Sequence, residues 1–304
     1  MRNLDENTIT AATISRHAQC ADPRTKVLMT RLIESLHDFA REVELTEEEW
    51  ATGIAFLTSV GKKCSDTRQE FILLSDTLGL STLVCAQNNR KPKECTESTV
   101  FGPFHLENSP PRSMDEDISE GASGEPCFVS GVVRDLDGKP IEGATIEVWQ
   151  ADGAGFYDVQ YSDFDEHRMR ATFRTGVDGA YRFRTVVAAS YPIPTDGPVG
   201  TMLAALGRHP WRPAHLHYRI TVPGYQTLVT HIFRDGDEYL DSDAVFGVRS
   251  TLVCEWIRHT DGGAPNGESM SEPFYTLNYD FVLSPARPNA DARVGASTDD
   301  CEQA

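Results

Sequence analysis

The stretch Cys127–Asp158, CFVSGVVRDLDGKPIEGATIEVWQADGAGFYD, decides the fold. From about residue 125 the sequence period is two, as in ATIEV, and Asp137-Gly138 is a turn pair within the stretch. That reads as strand, turn, strand. FRTGVDGAYRFRTVV (residues 173–187) repeats the plan around Asp178-Gly179, with Tyr181 and Phe183 on one face and Arg182 and Arg184 on the other. HLHYRITVPGYQTLVTHIF (residues 215–233) adds two strands around Pro223-Gly224, and YTLNYDFVLSP (residues 275–285) a last one. Many short strands with Gly, Pro and Asp turns predict a mainly antiparallel β-sandwich.

Upstream the period changes. In TKVLMTRLIESLHDFAREVEL (residues 25–45), Leu28, Leu32, Leu36, Phe39 and Val43 recur every three or four residues and line one helix face. Thr46 followed by Glu49 is a capping-box pattern before a second apolar stretch. A third segment, RQEFILLSDTLGLSTLVCAQ (residues 68–87), is apolar on more than one side and is expected to be buried between partners. The class is therefore α+β: helical residues 1–107, a sandwich over 108–287 that opens on an acidic surface loop, and a small, polar, disordered tail over 288–304.

The totals limit the partners. With 46 acidic and 28 basic residues the net charge is −18, which argues against nucleic acid or an anionic membrane surface. No run approaches a membrane span and the first twenty residues lack a signal-type apolar core, so no membrane insertion is expected. Seven scattered cysteines without a CxxC suit reduced thiols in the cytoplasm.

Within RPAHLHYRI (residues 212–220), His215 and His217 point the same way along a strand, so both imidazoles can reach one ion. The alternative is a pair of hydrogen-bonded histidines with no metal. No HExxH, CxxC or carboxylate cluster completes a zinc or Fe(II) pattern. Nearby segments instead supply Tyr157 in GAGFYD and Tyr191 in AASYPIP. Each tyrosine alone reads as a packed aromatic. Together with the histidines, two phenolates are hard anionic donors that suit Fe(III) rather than zinc, their usual pKa of ~10 notwithstanding.

The ordered set GVVRDLDGKPIEGATIEVWQADGAGFYD, YRFRTVVAASYPIP, LGRHPWRPAHLHYRI and HIFRDGDEYLDSDAVF resembles the intradiol ring-cleavage dioxygenases. The resemblance runs from the helical region to about residue 283. It implies one non-haem Fe(III) per subunit, held by Tyr157, Tyr191, His215 and His217. Tyr191 is then the ligand that takes a substrate proton and leaves the metal, and Arg212 stabilises the carbanionic or ketonised substrate. It also implies a homodimer formed through the helical N-terminal region, commonly with a phospholipid at the interface.

Three stretches look like the branch that cleaves hydroxyquinol (benzene-1,2,4-triol). VFGPF supplies a pocket loop of Val100, Phe101, Gly102, Pro103 and Phe104. YPIPTDGPVG places Ile193 and Pro194 over the ring, and FILLSDTLG places Leu73 and Asp76 at the pocket, with Val245 a further lining residue. Asp76 is suited to accept a hydrogen bond from the third hydroxyl. The substrates are thus an aromatic diol or triol and O2, and the product 3-hydroxy-cis,cis-muconate or its tautomer maleylacetate. Fourteen residues after His217, where catechol 1,2-dioxygenases typically carry Gln, this chain has His231. Catechol or chlorocatechol cleavage is the alternative activity, and a non-catalytic transthyretin-like binding module the alternative class.

Overall fold

A computed structural model describes residues 2–65, 68–161 and 167–286. The segment 288–304, read above as a disordered tail, lies outside the described residues. The chain forms two compact units, one ending at Lys62 and the other starting at Lys63.

The first unit is helical, with α1 (Ile9–Ser15), α2 (Pro23–Glu42) and α3 (Glu47–Lys63). Asp22 starts α2 by accepting from the Arg24 and Thr25 N–H groups, and Pro23 fills the first turn, where no donor is needed. Thr46 and Glu49 form the expected reciprocal cap on α3: the Thr46 N–H donates to Glu49 Oε2 (3.0 Å), and the Glu49 N–H to Thr46 Oγ1 (3.2 Å). The apolar stripe of α2 lies on one face as its spacing requires. Yet Leu28, Leu32, Leu36, Phe39 and Val43 are all exposed in the single chain.

In the second unit, the third apolar segment is two helices, α4 (Glu70–Thr77) and α5 (Leu80–Asn88). The break is Gly79, whose φ of +74° is open to glycine at little cost. One side of α4 is buried through Leu73, Leu74, Asp76 and Thr77, while Phe71, Ile72, Leu80, Leu83 and Val84 face outward. The expectation of burial thus holds for one side only.

The sandwich strands are β1 (Pro126–Arg134), β2 (Thr145–Gln150), β3 (Arg170–Arg174), β4 (Ala180–Val186), β5 (Tyr191–Pro192), β6 (Trp211–Arg212), β7 (His215–Thr221) and β8 (Leu228–Arg234). They continue with β9 (Val253–Cys254), β10 (Ile257–His259), the small hairpin β11 (Gly262–Gly263) and β12 (Ser269–Met270), β13 (Phe274–Asn278) and β14 (Phe281–Val282). One sheet runs β3-β2-β7-β8-β9, and the other β10-β13-β1-β14 with β4 also paired to β1. Most ladders are antiparallel, but β1 runs parallel to β13 and β14, and β8 parallel to β9.

Alternation builds the core between these sheets. Val129, Val133, Phe183, Leu277 and Phe281 from one sheet join Ile146, Val148, Phe173, Leu216, Tyr218 and Ile220 from the other. Each such side chain contributes on the order of 1.5–3 kcal/mol by leaving water. With Leu216 and Tyr218 turned to the core, period two sends His215 and His217 to the opposite face of β7.

A helix not expected from sequence, α6 (Pro198–Ala205), follows β5. Its first turn is tied to α4: the Val199 N–H donates to Glu70 Oε1 (3.2 Å), and Arg68 bridges Glu70 and Asp196. That clamp places the segment after Tyr191 against α4. No helix among the described residues is long and apolar enough to cross a membrane. The six described cysteines are free thiols.

Candidate metal and active site

Three adjacent strands present one row of rings on the outer face of their sheet. His217 on β7 pairs with Trp149 on β2 and with His231 on β8. His215 follows two residues earlier, on the same face. Tyr157 enters from the loop after β2, at the start of a 3-10 turn over Asp158–Gln160. Its N–H donates to Gln160 Oε1 (2.9 Å), and the next residue, Asp158, is locked by the buried Arg170 guanidinium. Tyr191 lies on β5 directly opposite Arg212 on β6, so one short ladder delivers both.

All four candidate ligands converge in a buried space. His215 Nε2 and His217 Nε2 are 3.1 Å apart; Tyr157 Oη lies 3.0 Å from His217 Nε2 and 3.4 Å from both His215 Nε2 and Tyr191 Oη. Burial and the nearby Arg212 charge push His215 down to about 3, and burial together with the neighbouring imidazoles holds His217 well below the usual range. Both rings are therefore neutral, the form that binds metals. Burial and Tyr191 raise the Tyr157 phenol well above its ordinary value. Only a cation among these atoms would reverse that preference and stabilise a phenolate. Converging lone pairs of two imidazoles and two phenol oxygens fit a hard trivalent ion such as the implied Fe(III).

His231 adds a third imidazole. The ligand atoms of His215, His217 and His231 lie within 4.8 Å of one another, a second grouping able to hold a metal ion. His231 Nδ1 lies 3.5 Å from Arg212 Nη2.

Arg212 is almost fully buried and is held by Asp243 through Nε (3.0 Å) and Nη2 (3.3 Å). Burial opposes its charge, but the Asp243 carboxylate and the two tyrosines outweigh it and raise the guanidinium further above its ordinary value. Nη1 remains aimed inward, 3.3 Å from Tyr191 Oη and 3.2 Å from His215 Nε2. Sequence reading missed Asp243. It is one of five acids in DGDEYLDSDAVF, and nothing local distinguishes the one that folds onto Arg212.

The expected pocket residues divide by position. Phe104 stacks on Tyr157 at 4.5 Å, and the Phe104 carbonyl accepts from Arg170. Gly102, at φ +79°, packs so closely that a Cβ would lie 3.0 Å from His217 Cε1. Leu73, Asp76, Val100, Ile193 and Val245 are buried, and Pro103 and Pro194 half-buried. Thr82 of α5 holds the Val245 carbonyl (3.1 Å). Burial raises the Asp76 carboxyl above its ordinary value, against the Ser81 hydroxyl and the Arg212 charge. Phe101 is the outlier. It is 40% exposed and packs on His105 and Trp149 rather than on the four ligands.

Comparison with known proteins agrees with this geometry. The family model described as "Dioxygenase" matches residues 100–285, and "Catechol dioxygenase N terminus" matches residues 22–96. The chain is 55% identical to the 6-chlorohydroxyquinol 1,2-dioxygenase of Cupriavidus pinatubonensis, over 94% of this chain and 99% of that protein. It is 53% identical to the hydroxyquinol 1,2-dioxygenase of Nocardioides simplex, over 88% of this chain and 91% of that one. Among solved structures, the hydroxyquinol 1,2-dioxygenase of Pseudomonas putida superposes with a TM-score of 0.85 at 46% identity, covering 92% of this chain and 99% of that chain. With matches of this length and identity, the chain belongs to the intradiol ring-cleavage dioxygenase family.

Proposed function

We propose that this enzyme cleaves hydroxyquinol with O2 between its adjacent hydroxylated carbons, giving 3-hydroxy-cis,cis-muconate or maleylacetate. The observation that carries the reading is the buried convergence of Tyr157, Tyr191, His215 and His217 with Arg212 alongside. In this reading those four side chains hold one Fe(III) per subunit, and His231 is a neighbour rather than a ligand. When bound, the ferric ion supplies a Lewis acid that draws electron density from the diolate and readies the ring for O2.

The protein's own groups do the rest. Tyr191 Oη, 3.3 Å from Arg212 Nη1, accepts a substrate proton. Arg212, fixed by Asp243, faces the negative charge that develops on the substrate, in a space closed to water. Leu73, Val100, Gly102, Pro103, Phe104, Ile193, Pro194 and Val245 line the ring's pocket, and Phe101 stands outside it against His105 and Trp149. Asp76 accepts the hydrogen bond of the third hydroxyl. A buried carboxyl without that donor penalises catechol, so Asp76→Ala should lower the ratio of hydroxyquinol to catechol turnover; an unchanged ratio removes this role.

Helical residues 1–107 serve dimerisation as well as pocket lining, and 108–287 carry the chemistry. The exposed stripe on α2 supports a homodimer formed through the helical region, where a phospholipid can share the interface. Free thiols suit the cytoplasm.

The decisive experiment is an anaerobic visible titration of the iron-loaded protein with hydroxyquinol and catechol in parallel, followed by admission of O2. A tyrosinate band that shifts to longer wavelength, tighter binding of hydroxyquinol and formation of the ring-opened dicarboxylate support the reading. Preference for catechol reassigns the substrate. A protein that takes up no iron leaves a binding module.

A further inference from the structure

The two histidines of the site are held in different ways. His215 Nδ1 lies 2.7 Å from the Pro213 carbonyl, a bond that fixes the tautomer with Nε2 free for a metal. His217 Nδ1 is buried with no hydrogen-bond partner among the described residues. A ligand histidine normally has its second nitrogen oriented by an acceptor. Here something else must orient the ring.

The face of the ring is covered instead. His217 stacks on Trp149 with ring centroids 4.7 Å apart and planes 12° from parallel, the two being direct cross-strand partners. The edge of His231 closes against it at 4.1 Å, and Gly102 crowds Cε1. Trp149 is held in turn. The His105 ring packs against it at 4.9 Å, nearly perpendicular, and His105 Nε2 is 2.8 Å from Glu147 Oε2. Glu147 also takes Arg219 Nη1 at 3.1 Å, two residues along the same pair of strands. Among the described residues the Trp149 Nε1–H has no partner either, so none of them explains by a hydrogen bond where the indole lies.

We propose that Trp149 is the positioning residue of His217: the indole face, braced by His105 and Glu147, does for this ligand what the Pro213 carbonyl does for His215. The inference rests on His217 being a metal ligand. It has an electronic consequence. An Nδ1–H without an acceptor leaves the imidazole less electron-rich than one bonded to a carbonyl, so His217 is the weaker donor of the pair. The site is then asymmetric, with one histidine anchored by a hydrogen bond and one by stacking alone.

The test uses the iron-loaded full-length protein and three variants, Trp149→Phe, Trp149→Leu and His105→Leu. The readouts are the rate at which a chelator removes iron, the wavelength of the tyrosinate band and the melting temperature of the apoprotein. Trp149→Leu should release iron about tenfold faster and shift the band, a loss of the size seen when a ligand's supporting group is removed. Trp149→Phe, which keeps an aromatic face, should recover most of that loss, and His105→Leu should fall between. Equal iron retention in wild type and Trp149→Leu would overturn the proposal. So would Phe and Leu variants that lose iron equally, since a ring face would then contribute nothing beyond bulk. Should Trp149→Leu not fold, His105→Leu decides alone: iron release at the wild-type rate overturns the bracing. Wild type that binds no iron would instead defeat the ligand assignment itself, a separate failure.

Discussion

The sandwich and the N-terminal helices are both amphipathic in sequence, but only the sandwich completes its burial within one chain. Val133, Leu216 and Ile220 are no more than 1% exposed, while Leu32 and Leu36 on α2 are 50% and 56% exposed. Periodicity states which face is apolar and is silent on what covers it. In the sandwich the cover is the second sheet; on α2 it must come from elsewhere. If the proposed homodimer forms through the exposed α2 stripe, damage to the two regions should separate cleanly, the sandwich governing iron and chemistry and the helices governing association.

The largest separation is expected from His215→Ala. It removes the histidine with the anchored tautomer, so iron affinity should fall by more than the roughly 10–100-fold cost of losing a ligand's supporting partner, with iron content by metal analysis and turnover falling with it. Molecular mass in solution should not move. Loss of the dimer in that variant would show that the two regions are coupled after all.

Next comes Arg212→Gln, which keeps the shape of the site but removes its charge. Turnover should fall by roughly 10²–10³, as when one preorganised charge-stabilising donor is lost, while iron and its colour are retained. Asp243→Asn should lower turnover less, because the guanidinium stays but is held more loosely. If Arg212→Gln loses iron instead, Arg212 is a structural counter-charge to the ligands rather than part of the chemistry.

How legible this was from sequence follows from how local each signal is. The strands flanking Asp137-Gly138, Asp178-Gly179 and Pro223-Gly224 are readable because each turn lies within a few residues of them. Only Pro223-Gly224 joins paired strands, however; the other two turns link β1 to β2 and β3 to β4, which lie in different sheets. The pairing of β1 with β13 is not readable, since Cys127 meets Tyr275 only in the folded chain. The Gly79 break was hidden because apolar residues continue on both sides of it. His215 and His217 announce themselves by spacing. Asp243, Trp149 and His105 act through tertiary contact and look like any acid, core aromatic or loop histidine.

A smaller effect on chemistry, and a sharper one on the comparison, is expected from the double variant Leu32→Glu, Leu36→Glu. Two charges on the exposed stripe should convert a two-chain mass to a one-chain mass by sedimentation, with iron content unchanged. If the mass stays that of a dimer, the stripe is covered by something other than a second copy.

The smallest effect is a pH dependence confined to the helices. Hydrogen bonds from the Thr46 N–H, and then from its hydroxyl, hold the Glu49 carboxyl below the ordinary glutamate range. A folded-state value below the unfolded one means that the cap contributes stability above the unfolded value of about 4.3, and that this is lost as pH falls through the lowered folded value. Glu49→Gln keeps the shape of the side chain and removes the charge. Followed by far-ultraviolet circular dichroism, its melting temperature should lie slightly below wild type at neutral pH and converge with it below about pH 4. A gap that stays constant with pH would assign the cap's contribution to geometry alone. The tyrosinate band of the iron-loaded protein should be the same in both proteins at neutral pH, because this cap lies in the unit that ends at Lys62 and the proposed ligands lie in the other.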